Sequence, residues 1–480
     1  VTEFVGSHRG VAYWSDGQEE RILFGTGTAY LYSLDARTGK VDSLFGDGGR
    51  IDLIEMFDRP VARMAVSVTS PPIVCRDVVV TGYFVQDWPW DGSPPEKNPP
   101  GDVFGFDVRT GGRLWTFHPV PREGKFGADT WENDSWKDFS RVNAWIILSA
   151  DEELVYLYLP FGNPNNEYYG GGRPGDNLFS STLVCLEART GKRVWHYQTM
   201  RHGSWNTDLP HAAILPDIVV DGKPIKAVAQ LTKQAFCFVF DRVTGEPVWP
   251  IEDRPVPAST MPGEPMPPTQ PFLTKPAPFD RQGLSEDDVI DFTPEIRQEA
   301  LELLAQYDYG PLYTPPSERG TIMLPGAIGG ANFWSGAAQP GKGWIYVSSE
   351  TKPSRVRLRE RDGVPGGYSG RSRDQTGPRG LPLTKPPYGR ITAIDLNTGE
   401  HRWMTPIGEG PIRHPDLPPL GSATRVFPMA TETLLFAVTD QPFSTRKHRY
   451  PGDYYIHSEP YLWVYDLDDG RLVHRLKLPA

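Results

Sequence analysis

The chain has 480 residues, rich in turn formers (Gly 49, Pro 49) and in aromatics (12%), as a turn-rich all-β protein requires. Its formal net charge of −11, with no basic run or patch, argues against a nucleic-acid partner. No run of about 18 apolar residues occurs, so this chain holds no membrane-spanning helix, and 3 cysteines are too few for a disulfide framework. Residues 1–60 read as a loop, a strand pair in RILFGTGTAYLYSLD and a hairpin. Residues 61–120 give IVCRDVVVTGYF and a second hairpin, separated by the loop DWPWDGSPPEKNPPGD. TWENDSW and then NAWIILSADEELVYLYL follow, and FGNPNNEYYGGGRPGDN reads as loop. Residues 210–249 read as two strands around VVDGKP. Residues 250–320 form a Pro-rich insertion with one helix, opened by Thr293-Pro294, carrying Ile296, Ala300, Leu303, Leu304 and Tyr307 on one face and ending at Gly310. Residues 352–390 read as another long polar loop. Cys75, Cys185 and Cys237 sit in apolar strand-like runs and are expected to be buried free thiols. The chain lacks an initiator Met and a signal peptide, as expected of a mature form or a fragment.

One unit recurs: apolar–x–apolar–Asp–x–x–Thr–Gly, with Trp eight positions after the Asp. Copies end at Asp35, Asp107, Glu187, Asp241, Asp395 and Asp466. The Trp position holds Trp115, Trp195, Trp249 and Trp403 in the middle four, and Ser43 and His474 in the first and last. Physically the unit is a hairpin. The acidic side chain can bond the turn amides, Gly supplies a positive φ, and the indole can pack on a neighbouring unit. Short strands at fixed internal spacing predict an all-β propeller of four-stranded antiparallel blades, forming a single domain over residues 1–480. Trp115, Trp195, Trp249 and Trp403 are each expected to touch an adjacent blade.

HRGVAYW (8–14), TWENDSW (130–136), NAW (143–145), YLPFGNP (158–164), RPGDN (173–177) and HGSWNTD (202–208) occur in an order that resembles the pyrroloquinoline-quinone (PQQ)-dependent alcohol and glucose dehydrogenases. PTQPF (268–272) and TPPSERGT (314–321) look most like the membrane-type glucose dehydrogenase branch. The resemblance covers nearly the whole chain and implies an eight-bladed propeller, of which this chain is expected to hold an incomplete ring. It also implies PQQ, calcium, a sugar or alcohol substrate, a quinone or other electron acceptor, and a periplasmic location. Any membrane anchor would be a segment not present in this chain.

Carried over residue by residue, the resemblance makes Trp145 the stacking platform for PQQ and Arg9 the partner of a cofactor carboxylate. Asn163 and Glu96 become calcium ligands, since amide and carboxylate oxygens suit a hard cation. Asn163 precedes Pro and reads equally well as a turn residue, and Glu96 lies in a loop whose alignment can slip. Lys233 matches the cation that holds a quinone oxygen, and a Lys inside AVAQLTKQAFCFVF needs a partner if it is buried. The chain departs from the family pattern at Asn206, where the family carries an Asp that acts as general base. An amide cannot take a proton at neutral pH, so turnover is expected to be slow and Asn206→Asp to raise it by about 10² or more. Asp208 faces the same side as Asn206 if the segment is extended, and can then substitute. Ser349 stands where the glucose branch tends to show Asn, and the segment after Asp440 is longer than the family pattern. Three classes of function remain at this stage: an active quinoprotein dehydrogenase, a cofactor-binding protein crippled at Asn206, and a scaffold propeller without cofactor.

Overall fold

The computed structural model describes residues 9–85, 99–339, 341–364, 366–411, 417–439 and 460–479. Strands alternate side chains between two faces, and the described residues form five four-stranded antiparallel sheets. Backbone contacts divide the chain into two compact units. The first holds residues 1–213, 243–245 and 263–267; the second holds the rest.

In the first unit, one sheet consists of Ala12–Ser15, Glu20–Gly25, Tyr30–Asp35 and Arg50–Asp52. The next consists of Ile73–Cys75, Val78–Thr81, Val103–Asp107 and Arg113–Phe117. The third consists of Ser149–Asp151, Tyr156–Pro160, Thr182–Glu187 and Arg193–Gln198. Alternation in the middle sheet decides what packs on what. Val79, Phe104 and Phe106 join Leu23 and Leu31 in one core, whereas Val78, Val80 and Val103 join Leu157, Leu159, Val184 and Leu186 in another. Each such side chain, fully buried, contributes about 1.5–3 kcal/mol.

The second unit repeats the plan with Gly336–Gln339, Trp344–Glu350, Gly389–Asp395 and Glu400–Pro406. A further sheet is Val426–Ala430, Leu434–Thr439, Tyr461–Asp466 and Leu472–Lys477. Ile345 and Val347 pack towards Ala227, Ala229 and Val239, while Tyr346 packs towards Leu435, Ala437 and Trp463. Strands Asp217–Val220, Lys223–Leu231 and Cys237–Asp241 make a three-stranded sheet. Its fourth strand shrinks to a single bridge between Phe240 and Pro247, with the Val248 N–H donating to Val239 O at 2.9 Å.

The repeated turn is built as its residues dictate. Asp35 Oδ1 accepts from the Thr38 N–H and hydroxyl, both at 2.7 Å, and Glu187 Oε2 accepts from the Thr190 N–H and hydroxyl at 2.8 and 2.6 Å. Ladder register slips by one residue just before the Trp position in four copies, leaving a bulge at residues 114, 194, 402 and 473. The four indoles then lie on the turn glycine of the following copy. A Cβ added to Gly191 would fall 2.5 Å from the Trp115 ring, one on Gly245 2.6 Å from Trp195, one on Gly399 3.1 Å from Trp249, and one on Gly470 2.5 Å from Trp403. Trp115 Nε1 also donates to Ala188 O at 2.8 Å, and Trp403 Nε1 to Leu467 O at 3.2 Å. The expected contact of each Trp with a neighbouring copy is therefore present, and the fold is a β-propeller.

Three expectations need correction. The helix runs Pro294–Leu304 and stops short of Gly310. Its Thr293 cap accepts the Ile296 N–H at 3.3 Å as the sequence implies. Beyond Leu304 the chain turns into pairing instead: Asp308 N–H is taken by Gly320 O at 2.9 Å, and Ile322 N–H reaches Asp308 O at 2.8 Å. Residues 352–390 are not one loop. Ser354–Glu360 and Tyr368–Asp374 pair as strands beside Thr321–Met323, with Val356 and Leu358 buried beneath a charged outer face. The Pro-rich insertion carries its own strand pair, Ile251–Pro255 with Thr269–Leu273. All 3 cysteines are free and buried. Burial pushes the Cys75 thiol up to about 11 and raises Cys185 and Cys237 as well. Glu96 and the segment after Asp440 lie outside the described residues.

Candidate active site

Two of the sequence-predicted residues meet in the first unit. The Arg9 guanidinium lies over the Trp145 ring, 5.6 Å from its centroid. Arg9 Nη1 donates to Thr69 Oγ1 at 2.9 Å and to Ser70 Oγ at 3.3 Å, and Ser70 Oγ donates on to Trp145 O at 2.9 Å. Trp145 is half-buried between Ala144 and Ile146, both fully buried. Its segment sits tightly on the second sheet. A Cβ at Gly82 would fall 1.9 Å from Ala144 O, so only glycine allows that approach.

Asn163 and Asp208 also meet, both buried. Asp208 Oδ1 accepts the Asn163 N–H at 2.8 Å. The Asn163 amide lies between Ser181 Oγ, 2.5 Å away, and the N–H groups of Thr207 and Asn206 at 3.0 and 3.1 Å; its oxygen facing the two N–H donors satisfies all three. Asn206 has φ of 52°, so the segment is not extended there and the condition for Asp208 to face the same side is not met. Asn206 Nδ2 donates to the Tyr168 hydroxyl at 3.0 Å, while Asp208 turns to Asn163.

Beneath this loop is a buried network that sequence reasoning missed. Glu264, from the Pro-rich insertion, accepts the Gly170 N–H at 2.8 Å and the Ser204 hydroxyl at 2.8 Å, and lies 3.4 Å from His202 Nε2. Burial alone would raise its carboxyl, but His202, the Gly170 N–H and Arg173 outweigh that and hold it below the ordinary value. Arg173, fully buried, donates to the carbonyls of His202 and Gly203 at 2.8 and 2.7 Å and to Asn177 Oδ1 at 2.7 Å. Burial lowers its guanidinium to about 10. Nothing in PGEPMPP marks its lone Glu as the acceptor for a distant loop.

In the second unit, Lys233 is buried at the turn between Lys223–Leu231 and Cys237–Asp241. Gly330 N–H donates to Lys233 O at 2.8 Å, and a Cβ at Gly329 would fall 2.5 Å from Lys233 Cγ. Gly329 and Gly330 also line a small cleft, with room for about one water-sized group, together with Asn332, Trp334, Ser348, Ser349, Glu350 and Thr424. Among the described residues, no three His, Cys, Asp or Glu side chains cluster as a metal centre.

Residues 3–480 match the family described as the PQQ glucose/ethanol/alcohol dehydrogenase β-propeller domain. The glycerol dehydrogenase large subunit of Gluconobacter oxydans (strain 621H) is 30% identical, with 84% of this chain and 59% of that protein covered. The quinoprotein glucose dehydrogenase of Escherichia coli (strain K12) is 29% identical over 81% of this chain and 50% of its own. The quinate/shikimate dehydrogenase (quinone) of Acinetobacter baylyi (strain ATCC 33305 / BD413 / ADP1) is 27% identical over 96% and 58%. The chain thus spans between half and three-fifths of the length of these relatives. Among solved structures, a europium-containing methanol dehydrogenase superposes with TM-score 0.66 at 20% identity, covering 99% of this chain and 69% of that one, a likeness of fold. With the match running over residues 3–480, the chain belongs to the PQQ-dependent glucose/ethanol/alcohol dehydrogenase β-propeller family.

Proposed function

We propose that residues 1–480 act as one catalytic domain that oxidises a hydroxyl of a sugar, polyol or alcohol and passes the electrons to a quinone or dye acceptor. The observation that carries this is Arg9 over Trp145. A planar quinone bearing carboxylates needs an indole face to stack on and a guanidinium fork beside it, and the residues present fit. For the cation, the matched donor is the buried Asn163, whose amide oxygen faces the Thr207 and Asn206 N–H groups, so a bound calcium would have to take the place of those two donors. Glu96, which the resemblance matches to a further calcium ligand, lies outside the described residues. When bound, PQQ supplies a two-electron acceptor and calcium a Lewis acid that polarises it.

The chain's own residues do the rest. Arg9 and Trp145 would orient the ring; Lys233, buried in the second unit, is the cation that the resemblance matches to a quinone oxygen. The Glu264–Arg173 network holds the loop of residues 202–208 in shape, which keeps Asn206 and Asp208 where they are. Asn206 can accept a hydrogen bond from a substrate hydroxyl but cannot take its proton. That amide is the one observation favouring a second reading, a cofactor-binding domain with crippled catalysis. The periplasm is the compartment this function implies.

Reconstitution with PQQ and calcium, followed by dye-linked turnover over aldoses, polyols and simple alcohols, is the test. Saturable PQQ binding and turnover of at least one substrate class are expected. Arg9→Ala is expected to weaken PQQ about tenfold or more. Absence of PQQ binding by the wild type would return the chain to the scaffold class.

A further inference from the structure

We propose that the hairpin of Ser354–Glu360 and Tyr368–Asp374 is a docking surface for a partner protein, and that it takes an extended acidic segment with Asp or Glu at alternate positions. The surface lies wholly in the second unit and stands without the dehydrogenase reading.

Pairing of the two strands builds it. Arg355 stands opposite Arg373, Arg357 opposite Arg371, and Arg359 opposite Ser369. Directly opposed residues of an antiparallel pair share a face, so five guanidinium groups belong to one side of the hairpin. Ser354, Val356 and Leu358 alternate to the other side and are buried. Arg357, Arg359, Arg371 and Arg373 are exposed, and Arg355 is half-buried. The array repeats about every 7 Å along each strand and about every 5 Å across the pair. In the sequence the same arginines are interleaved with Val, Leu, Ser and Gly and split by the turn at 361–367, so the basic patch emerges only on folding.

The array is left un-neutralised. Among the described residues, Arg355, Arg357, Arg359 and Arg373 form no ion pair. Arg355 bonds the Tyr307 hydroxyl and lies 5.0 Å from its ring centroid. Arg357 Nε donates to Glu318 O, a backbone carbonyl, at 2.7 Å. Asp374, next to Arg373, is taken by Lys352 at 2.8 Å, and Glu360 accepts the Tyr368 hydroxyl at 3.3 Å. Like charges directly opposite one another destabilise a strand pair, and here two such pairs follow in succession. Charge on an edge strand commonly guards it against unwanted pairing. That accounts for Arg371 and Arg373 on the outer strand, but not for Arg355, Arg357 and Arg359 on the inner one. A fold that keeps a repulsive array at a cost in stability is keeping it for a ligand.

Charge and period select the ligand. The chain as a whole carries −11, so an extended anion such as a bilayer or a duplex would meet the acidic remainder as well as the hairpin. None of the exposed large apolar side chains comes from the hairpin, which therefore has nothing to insert into a bilayer. An extended strand with Asp or Glu at alternate positions repeats its carboxylates about every 7 Å, the period of the arginines, and each guanidinium fork can take one carboxylate through paired hydrogen bonds.

The test uses the full chain, without cofactor, and a labelled synthetic peptide alternating Glu with Thr. Fluorescence anisotropy is expected to show saturable binding at about 0.01 M salt that weakens about tenfold or more by 0.15 M. A peptide of the same composition with its Glu in one block is expected to bind several-fold less tightly, because neighbouring carboxylates of a strand point to opposite faces. Arg357→Gln with Arg371→Gln is expected to weaken the alternating peptide about tenfold or more, and also to raise the urea midpoint, since an opposed pair of like charges is gone. Equal affinity for the two peptides, or binding unmoved by the paired substitution, overturns the proposal. A lowered urea midpoint in the paired variant overturns it too, by showing that the arginines serve the fold. Vesicles of equal parts phosphatidylglycerol and phosphatidylcholine, or duplex DNA, bound through these arginines while the peptide is not, overturn it in favour of that anion. Every readout is independent of PQQ, so failure here leaves the dehydrogenase reading intact.

Discussion

Burial of the Glu350 carboxyl makes stability depend on pH. Unfolded, its carboxyl ionises near the ordinary 4.5; folded, it holds its proton to about 7. Between those values the folded chain binds more protons than the unfolded one, so stability falls as pH rises through the window. The loss is on the order of 3 kcal/mol and is complete above about pH 7. Denaturant midpoints of the wild type and Glu350→Gln, measured from pH 4.5 to 8, are expected to diverge, with the variant the more stable partner at pH 8. Parallel curves would mean that this carboxyl ionises freely in the fold. The sequence signalled residues of this scale unevenly. Arg9 and Trp145 stood in motifs whose order is read directly, and the structure joins them through Ser70. Glu350 and Glu264 gave no signal, because burial by distant segments leaves no local trace. Asn206 was legible as an amide, but its positive φ was not, since the turn is imposed by bonds to Asn163 and Glu167.

At the scale of elements, the hairpin repeat was legible because its causes are local: an acidic side chain, a Thr-Gly turn and a Trp at fixed offset. The strands within 352–390 were missed because only Val356 and Leu358 mark the buried side of Ser354–Glu360, and the opposite face is charged. The three-stranded sheet departs from four, its last strand reduced to the Phe240–Pro247 bridge, and the sequence did not mark this. The indole contact can be tested by comparing two glycines in the same turn. Gly191 and Gly39 have φ of 67° and 68°, but only Gly191 has an indole within reach, and nothing lies within 4 Å of Gly39. Gly39→Ala is expected to cost about 1 kcal/mol from backbone strain alone. Gly191→Ala is expected to cost about 2–4 kcal/mol, strain plus overpacking against Trp115. Equal costs in urea melts would show that the indole contributes no contact there.

At the scale of the molecule, any ligand that binds only the folded state stabilises it, by about 2.7 kcal/mol at a hundredfold excess over Kd. PQQ with calcium is therefore expected to raise the melting temperature, and a chelator added afterwards to reverse part of the gain; PQQ and calcium added to Arg9→Ala at the same concentrations are expected to raise it less. A melting temperature indifferent to both would argue against a built cofactor site. Among the described residues no helix is long and apolar enough to cross a membrane.

The seating of each indole on the next glycine has an evolutionary reading. The four middle copies of the unit carry both halves of the joint, a plug at the Trp position and a socket at the Thr-Gly turn. A tandem duplication of one copy therefore delivers a new blade with its plug and socket already matched to its neighbours, with no compensating change required. Divergence can then proceed in the connecting segments, where this chain keeps its Pro-rich insertion and its Glu264 anchor, while the joint itself stays fixed by two residues.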